Sequence, residues 1–216
     1  MKHPETILIF SAHNDDQVIG AGGTIAKYAK EGKEVITYIF SFGEASHPHL
    51  HKEAIIKKRI QELHQGDEIL DITKSVLLGI KEGDFFNEFT KKNRREVIIR
   101  AIEEKKPTKI FTHSSDDPHP DHKAVNNIIL SILNEVQYKG EILTFDVWNP
   151  FNVRNRNQPK LVVDVTETFH AKIKALKCHE SQFIALMTMI PSIYIRGIVH
   201  GLKYGARYCE QFTKIQ

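Results

Sequence analysis

Short runs of β-branched apolar residues recur along this chain, separated by longer stretches in which apolar residues return every three or four positions. Thr6 to Ser11 (TILIFS) and residues 34–40 (EVITYIF) are nearly all apolar, as expected of strands covered on both faces. Between them, residues 18–31 carry Ile19, Ile25, Ala26, Tyr28 and Ala29 at helical spacing and stop before Gly32, which predicts a β-α-β unit. The same reading predicts helices over 50–70, 92–105 and 121–138, with strands over 76–78, 109–112, 142–147 and 161–165. From Thr166 onward the pattern is helical, cut into pieces by Pro191, Gly197, Gly201 and Gly205. Alternation of this kind predicts an α/β fold: a mainly parallel sheet with helices on both faces and extra helices at the C-terminus.

With 216 residues, one domain over 1–216 is expected rather than two, and no repeat, low-complexity tract or linker marks a boundary. Hydrophobic residues at 41% and charged residues at 26% exclude global disorder. Thirty Lys and Arg against 27 Asp and Glu leave +3 without a basic tail, so nucleic acid is not implied as a partner. Cys178 and Cys209 have no CxxC spacing, which points away from a disulfide framework and towards a reducing compartment. No leader pattern is read at the N-terminus and no unbroken apolar run reaches 18 residues, so the expectation is a cytoplasmic protein without stable membrane insertion.

Histidine is in surplus, with twelve copies, several beside aspartate. The loop after the first strand reads Ser11-Ala12-His13-Asn14-Asp15-Asp16-Gln17, and the loop after the 109–112 strand reads His113-Ser114-Ser115-Asp116-Asp117-Pro118-His119-Pro120-Asp121-His122. Both leave parallel strands at the carboxyl edge, where open α/β sheets bind ligands. A catalytic zinc takes three protein ligands and keeps a position for water, and His13, Asp16 and His122 supply three. Asp15 is then a spare carboxylate for general-base work, and His119 can donate a proton or stabilise an oxyanion. Taken singly, either loop reads as a surface turn, with Asp15, Asp16 or Asp121 serving as a helix cap.

His13-Asn14-Asp15-Asp16 resembles the His-Pro-Asp-Asp signature, and His119-Pro120-Asp121-His122 the second signature, of the zinc-dependent N-acetylglucosaminyl deacetylases. That family includes phosphatidylinositol-glycan (PIG-L, or LmbE-like), mycothiol, bacillithiol and diacetylchitobiose deacetylases. The resemblance extends to Gly20 to Thr24, Arg59-Ile60-Gln61-Glu62 and His179-Glu180-Ser181-Gln182. It implies a Rossmann-like sheet, Zn2+ on His13, Asp16 and His122, Asp15 as general base, and His119 steadying the tetrahedral intermediate. It also implies that Asp121 orients a site histidine and that Arg59 contacts an amino-sugar substrate. Asn14 replaces the usual proline, which is expected to loosen the loop, and Gln17 replaces a glutamate, removing a charge near the metal.

Other features have ordinary readings beside functional ones. His47, His49 and His51 alternate as a transient metal site or as a solvated loop, and Gly20-Ala21-Gly22-Gly23 lacks the dinucleotide spacing and reads better as close helix packing. Trp148 and Phe151 are candidates for stacking on a sugar in a polar loop over 148–159, or are plain core or rim. Cys178 reads as a small buried residue. The segment 190–212 packs either on the core or on another subunit, so a homo-oligomer is a further expectation. The competing functional readings are a magnesium-dependent nucleotide or sugar-nucleotide module and a noncatalytic zinc protein.

Overall fold

The computed structural model describes residues 4–44, 51–148 and 158–216. In chain order the elements are β1 (Thr6–Ser11), α1 (Asp16–Lys30), β2 (Glu34–Ile39), α2 (Lys52–Leu70), β3 (Lys74–Leu77), α3 (Phe85–Lys91) and α4 (Arg94–Lys105). There follow β4 (Lys109–His113), α5 (Pro120–Glu135), β5 (Glu141–Phe145), β6 (Lys160–Asp164), α6 (Phe169–Lys177), α7 (Phe183–Tyr204) and β7 (Cys209–Lys214). The seven strands form one sheet in the order β3-β2-β1-β4-β5-β7-β6. The five from β3 to β5 are mutually parallel, in agreement with the predicted alternation, whereas β7 is antiparallel to both its neighbours.

Side chains alternate across β1, so Ile7 and Ile9 join one core while Leu8 and Phe10 join the other. The first core collects α1, α6 and the inner face of α7, and the second collects α3, α4 and α5. After β1 the chain moves outward through β2 and β3; it then returns to add β4 on the opposite side of β1. Loops leaving β1 and β4 therefore diverge above adjacent strands, opening a crevice at the topological switch point.

Two sequence expectations fail here. Residues 209–214, read as helical, form β7, because their place between β5 and β6 provides two ladders of backbone partners. Glu210 anchors the strand: its carboxylate accepts from Gly23 N (3.0 Å) and Thr24 N (2.7 Å) of α1 and pairs with buried Lys172 at 2.6 Å. In addition, α7 runs unbroken through Pro191, Gly197 and Gly201. Proline in a helix interior costs about 3 kcal/mol, and burial of Leu186, Met189 and Ile193 along the inner face offsets that penalty. Gly201 is a point of close approach, since a Cβ there would lie 2.6 Å from the carbonyl oxygens of Ala206 and Arg207. The short helix α3 was not predicted.

The close-packing reading of the α1 glycines agrees with the structure, because a Cβ on Gly20 would meet the Phe145 ring at 2.3 Å and one on Gly23 would meet Val165 at 2.8 Å. By length and composition, Glu180–Tyr204 is apolar enough to cross a membrane, with a mean hydropathy of 1.5 in its best window. The segment is not an unbroken apolar run, because Arg196, His200 and small residues interrupt it.

Asp67, on α2 beside Ser75, yields a stability prediction. Burial pushes its carboxyl from the ordinary 3.8 to about 6, against an opposing hydrogen bond from Ser75 and the charge of His64. Because the folded pKa is raised, the unfolded chain ionises first; stability is full below about pH 3.8 and falls as pH rises towards about 6. Asp67→Asn should therefore stabilise the protein by up to roughly 3 kcal/mol near pH 7 and leave it unchanged near pH 3.5. Denaturant unfolding at the two pH values checks this, and an equal effect at both would refute it.

Candidate metal centre and active site

Loop one is braced from three sides. Ala12 N donates to His113 Nε2 at 2.9 Å, which ties the end of β1 to the end of β4. Asn14 Nδ2 donates to the Arg59 carbonyl at 2.7 Å, and the Arg59 guanidinium donates back to Asn14 Oδ1. Gln17 accepts from Ser11 Oγ at 3.1 Å and donates to the Asn14 carbonyl at 2.9 Å. The expected loosening is thus corrected: Asn14 exchanges proline's rigidity for two hydrogen bonds to α2. Gln17, fully buried, is a brace of the same loop.

Asp16 opens α1 and turns its Oδ2 into a ring of imidazoles. His13 Nδ1 lies 3.2 Å away, His122 Nε2 3.3 Å and His113 Nε2 3.4 Å. One ligand atom from each of His13, Asp16 and His122 lies within 4.8 Å of the others. The outer nitrogens are held by carboxylates: His122 Nδ1 is 2.9 Å from Asp117 Oδ1, while His13 Nε2 is 3.2 Å from Glu82 and 3.5 Å from Asp121. Imidazoles that ligate a metal through one nitrogen are characteristically held in this way through the other. Both ring nitrogens of His122 are buried without a hydrogen bond, Nδ1 facing Asp117 and Nε2 facing Asp16, and a cation beside Asp16 would satisfy Nε2. Two imidazoles and a carboxylate suit zinc better than magnesium. A second buried trio, His113, Asp117 and His122, is also close enough; there Ala12 N occupies the His113 Nε2 lone pair, and Nδ1 is without a hydrogen-bond partner.

The electrostatics fit this division. For Asp16, burial acts to raise the pKa, but the His122 and His13 charges outweigh it and hold the carboxyl well below the usual range. Asp117 is likewise desolvated, yet His122 and backbone N–H donors from His119 and Trp148 bring it down to about 2. Burial, reinforced by the His122 charge, pushes His113 down to about 4 and keeps it a neutral acceptor. His122 is opposed by burial but lifted to about 9 by Asp16 and Asp117; a metal cation would compete for that proton.

Asp15, Arg59, His119 and Trp148 line a cavity of about 140 Å³ beside the cluster, whereas Asp121 does not. Asp15 occupies the N-cap position of α1 without capping it, and its carboxylate lies 3.3 Å from Arg59 Nη2. Arg59 itself is seated under Gly43, where φ is +75° and a Cβ would stand 2.3 Å from the guanidinium. His119 Nδ1 accepts from Asp121 N at 3.2 Å, which leaves Nε2 as the protonated nitrogen of the neutral ring. Its pKa is lowered, by burial first and then by the neighbouring His122 and His13 charges. Asp121, whose Oδ1 accepts from Gly83 N, stands next to His13 rather than His122. Trp148 lies 43% exposed at the cavity rim, fixed through its backbone N to Asp117 Oδ2 at 3.0 Å.

Sequence reasoning missed Asp117, His113 and Glu82. Asp117 was legible as a carboxylate five residues before His122. Glu82 follows β3, a strand end to which no chemistry had been assigned. The Arg59 and His179 segments meet, since Ser181 donates through N (2.8 Å) and Oγ (2.6 Å) to Glu62. His51 sits exposed at the N-cap of α2, while His47, His49, Phe151 and most of the 148–159 loop lie outside the described residues.

A histidine–aspartate cluster able to hold a metal ion, with a spare carboxylate beside it, sits at the switch point of a mainly parallel sheet, the arrangement of a metal-dependent enzyme. Among such proteins, this chain belongs to the GlcNAc-PI de-N-acetylase (PIG-L) family, whose pattern matches residues 8–133. Diacetylchitobiose deacetylase of Thermococcus kodakarensis is 25% identical over 221 residues, covering 94% of this chain and 80% of the relative. The solved N,N'-diacetylchitobiose deacetylase of Pyrococcus horikoshii superposes with a TM-score of 0.81 at 22% identity, covering 98% of this chain and 84% of that one. The 4-carboxy-2-hydroxymuconate hydratase GalB of Pseudomonas putida KT2440 shares the fold at a TM-score of 0.83 and 20% identity, covering 98% of this chain and 96% of its own. The fold by itself therefore does not choose the reaction.

Proposed function

We propose that residues 1–216 form one deacetylase domain that uses Zn2+ to hydrolyse the acetamide of an N-acetylglucosamine-type amino sugar or its conjugate. The observation that carries this reading is the convergence of His13 Nδ1 and His122 Nε2 on Asp16 beside a cavity that holds Asp15. His13, Asp16 and His122 would hold the ion. When bound, it would polarise the acetamide carbonyl and acidify nearby water towards a pKa of about 7. Asp15 takes the proton of the attacking water and returns it to the amide nitrogen as the carbon–nitrogen bond breaks, so that acetate and the amine leave. His119, with Nε2–H turned to the cavity, donates a hydrogen bond to the carbonyl oxygen as it gains charge, which favours the oxyanion role over proton donation. Arg59 orients Asp15 and meets a sugar hydroxyl, and Trp148 offers a face at the rim. Both cysteines are unpaired, which supports a reducing, cytoplasmic compartment.

Elemental analysis of the purified protein, followed by acetate-release assays on N-acetylglucosamine, diacetylchitobiose and N-acetylglucosaminyl malate, tests the proposal. About one zinc per chain is expected, with acetate release abolished by a chelator and restored by added Zn2+. A zinc-loaded protein that released no acetate from any N-acetylated sugar would overturn it.

A further inference from the structure

Asn14, where the family signature usually has proline, stands behind the catalytic cavity rather than in it: Asp15 and Arg59 line that cavity, and Asn14, 1% exposed, does not. It nevertheless grips Arg59 at two points. Its Oδ1 accepts from the guanidinium Nη2, and its Nδ2 donates to the Arg59 backbone carbonyl at 2.7 Å. One carboxamide thus ties the tip of a long side chain to the main chain of the same residue on α2. Such a grip needs an acceptor and a donor together, and a proline side chain has neither. Nη2 also donates to Asp15 Oδ1 at 3.3 Å, so a single nitrogen is shared between Asn14 and the proposed base. Asn14 is itself held at its carbonyl, where Gln17 Nε2 donates at 2.9 Å while Gln17 Oε1 accepts from Ser11 Oγ at 3.1 Å. A glutamate carboxylate could accept from Ser11 but could not donate to Asn14. The two departures from the signature, at 14 and 17, therefore serve one arrangement.

We propose that Asn14 is a positioning residue of this chain's reaction, acting through Arg59: by holding Nη2 it keeps the guanidinium from closing on Asp15 and leaves the base turned to the cavity. Arginine and carboxylate pair most strongly through two parallel hydrogen bonds at about 2.7–2.9 Å. The contact from Arg59 to Asp15 is one bond at 3.3 Å, longer than that range, and the Asn14 oxygen is the nearer of the two acceptors. A neutral carboxamide takes no proton from water, so it competes for the guanidinium without competing for the task of the base. With alanine or proline at 14, Nη2 keeps only Asp15 of these two acceptors. The guanidinium would then shift onto the carboxylate and cover the oxygen that has to meet the attacking water. The backbone at Gly43 packs flush on the guanidinium, with a Cβ there standing 2.3 Å from it, so the ring of contacts has little slack while Asn14 is present. The inference rests on the deacetylase reading and adds the device that sets its base.

Asn14→Ala and Asn14→Pro, purified with zinc, should each keep the bound metal and the circular dichroism of the wild type. Each should lower kcat for acetate release about tenfold, the scale of one hydrogen bond to a charged group, while KM moves less than about threefold. The proline variant guards against a fold defect in the alanine one, because proline is the residue the family signature carries at this position. In an Arg59→Ala background, adding Asn14→Ala should change kcat by less than about twofold, because the two side chains act as one unit. A brace with no part in the reaction would instead add its full effect to that of Arg59→Ala. A crystal structure of Asn14→Ala should show two hydrogen bonds from the guanidinium to Asp15. Additive losses of kcat, a guanidinium left where it stands in the wild type, or zinc lost along with turnover would each overturn the proposal. A wild type that binds zinc and releases no acetate would overturn the deacetylase reading instead, and the crystal structure of the variant would still decide whether Asn14 sets the guanidinium.

Discussion

Asp15→Ala is expected to lower kcat for acetate release by about 10²–10⁴-fold, the usual contribution of a positioned general base, while bound metal stays near one per chain. The two readouts separate because Asp15 lies outside the His13, Asp16 and His122 group, its nearest charged partner being Arg59 at 3.3 Å. Removing the carboxylate also deprives the buried Arg59 of an anionic neighbour, so part of any loss could come from a displaced guanidinium. Asp15→Asn controls for this, since it keeps an oxygen for Arg59 but cannot accept the proton. If both variants retain activity, Asp15 is not the base; if both lose metal as well as turnover, the carboxylate belongs to the ion's surroundings.

Asp117→Ala should be the most damaging single change away from the proposed ligands. Its Oδ2 accepts from Val147 N and Trp148 N, both at 3.0 Å, and its Oδ1 accepts from His119 N at 3.1 Å and faces His122 Nδ1 at 2.9 Å. Truncation leaves three backbone donors and one buried imidazole without their acceptor. The expected cost is about 3–5 kcal/mol, as for a buried ion pair deprived of one partner. Zinc affinity should fall about 10–100-fold, because the orientation of His122 is no longer held. The folded pKa of Asp117 is lowered to about 2, so its contribution is full above about pH 4 and is lost as pH falls towards 2. Between about pH 4 and pH 2 the wild type should therefore lose stability more steeply than Asp117→Ala, whose pH dependence should be flatter over that window. Urea unfolding from about pH 7 to pH 3, together with competitive zinc titration, measures both effects. Wild-type stability and affinity in Asp117→Ala would show that the network is dispensable.

The parallel half of the molecule was legible because its strands are buried on both faces and must be nearly all apolar, which leaves a mark in any window of five or six residues. The loops after β1 and β4 were legible because their histidines and aspartates cluster in sequence before they cluster in space. The C-terminal third was not: CEQFTK carries no strong strand pattern, and its strand character comes from the edges of β5 and β6, far away in the chain. Pro191 and Gly201 look like helix breakers locally, yet each is tolerated where the inner face of α7 is held against the rest of the fold.

Local chemistry thus supplied the alternation of elements, the two loops and His13, Asp15, Asp16, His119 and His122 as candidate site residues. It could not say which carboxylate stands behind which imidazole. Asp121, which the family resemblance assigned to a site histidine, faces His13, while Asp117 faces His122 and Glu82 arrives from a third strand end. Such pairings depend on distances between segments separated by tens of residues, and only the folding of the sheet around its switch point brings those segments together. The exposed face of α7 is of the same kind: an apolar repeat in sequence does not say which side the core will cover.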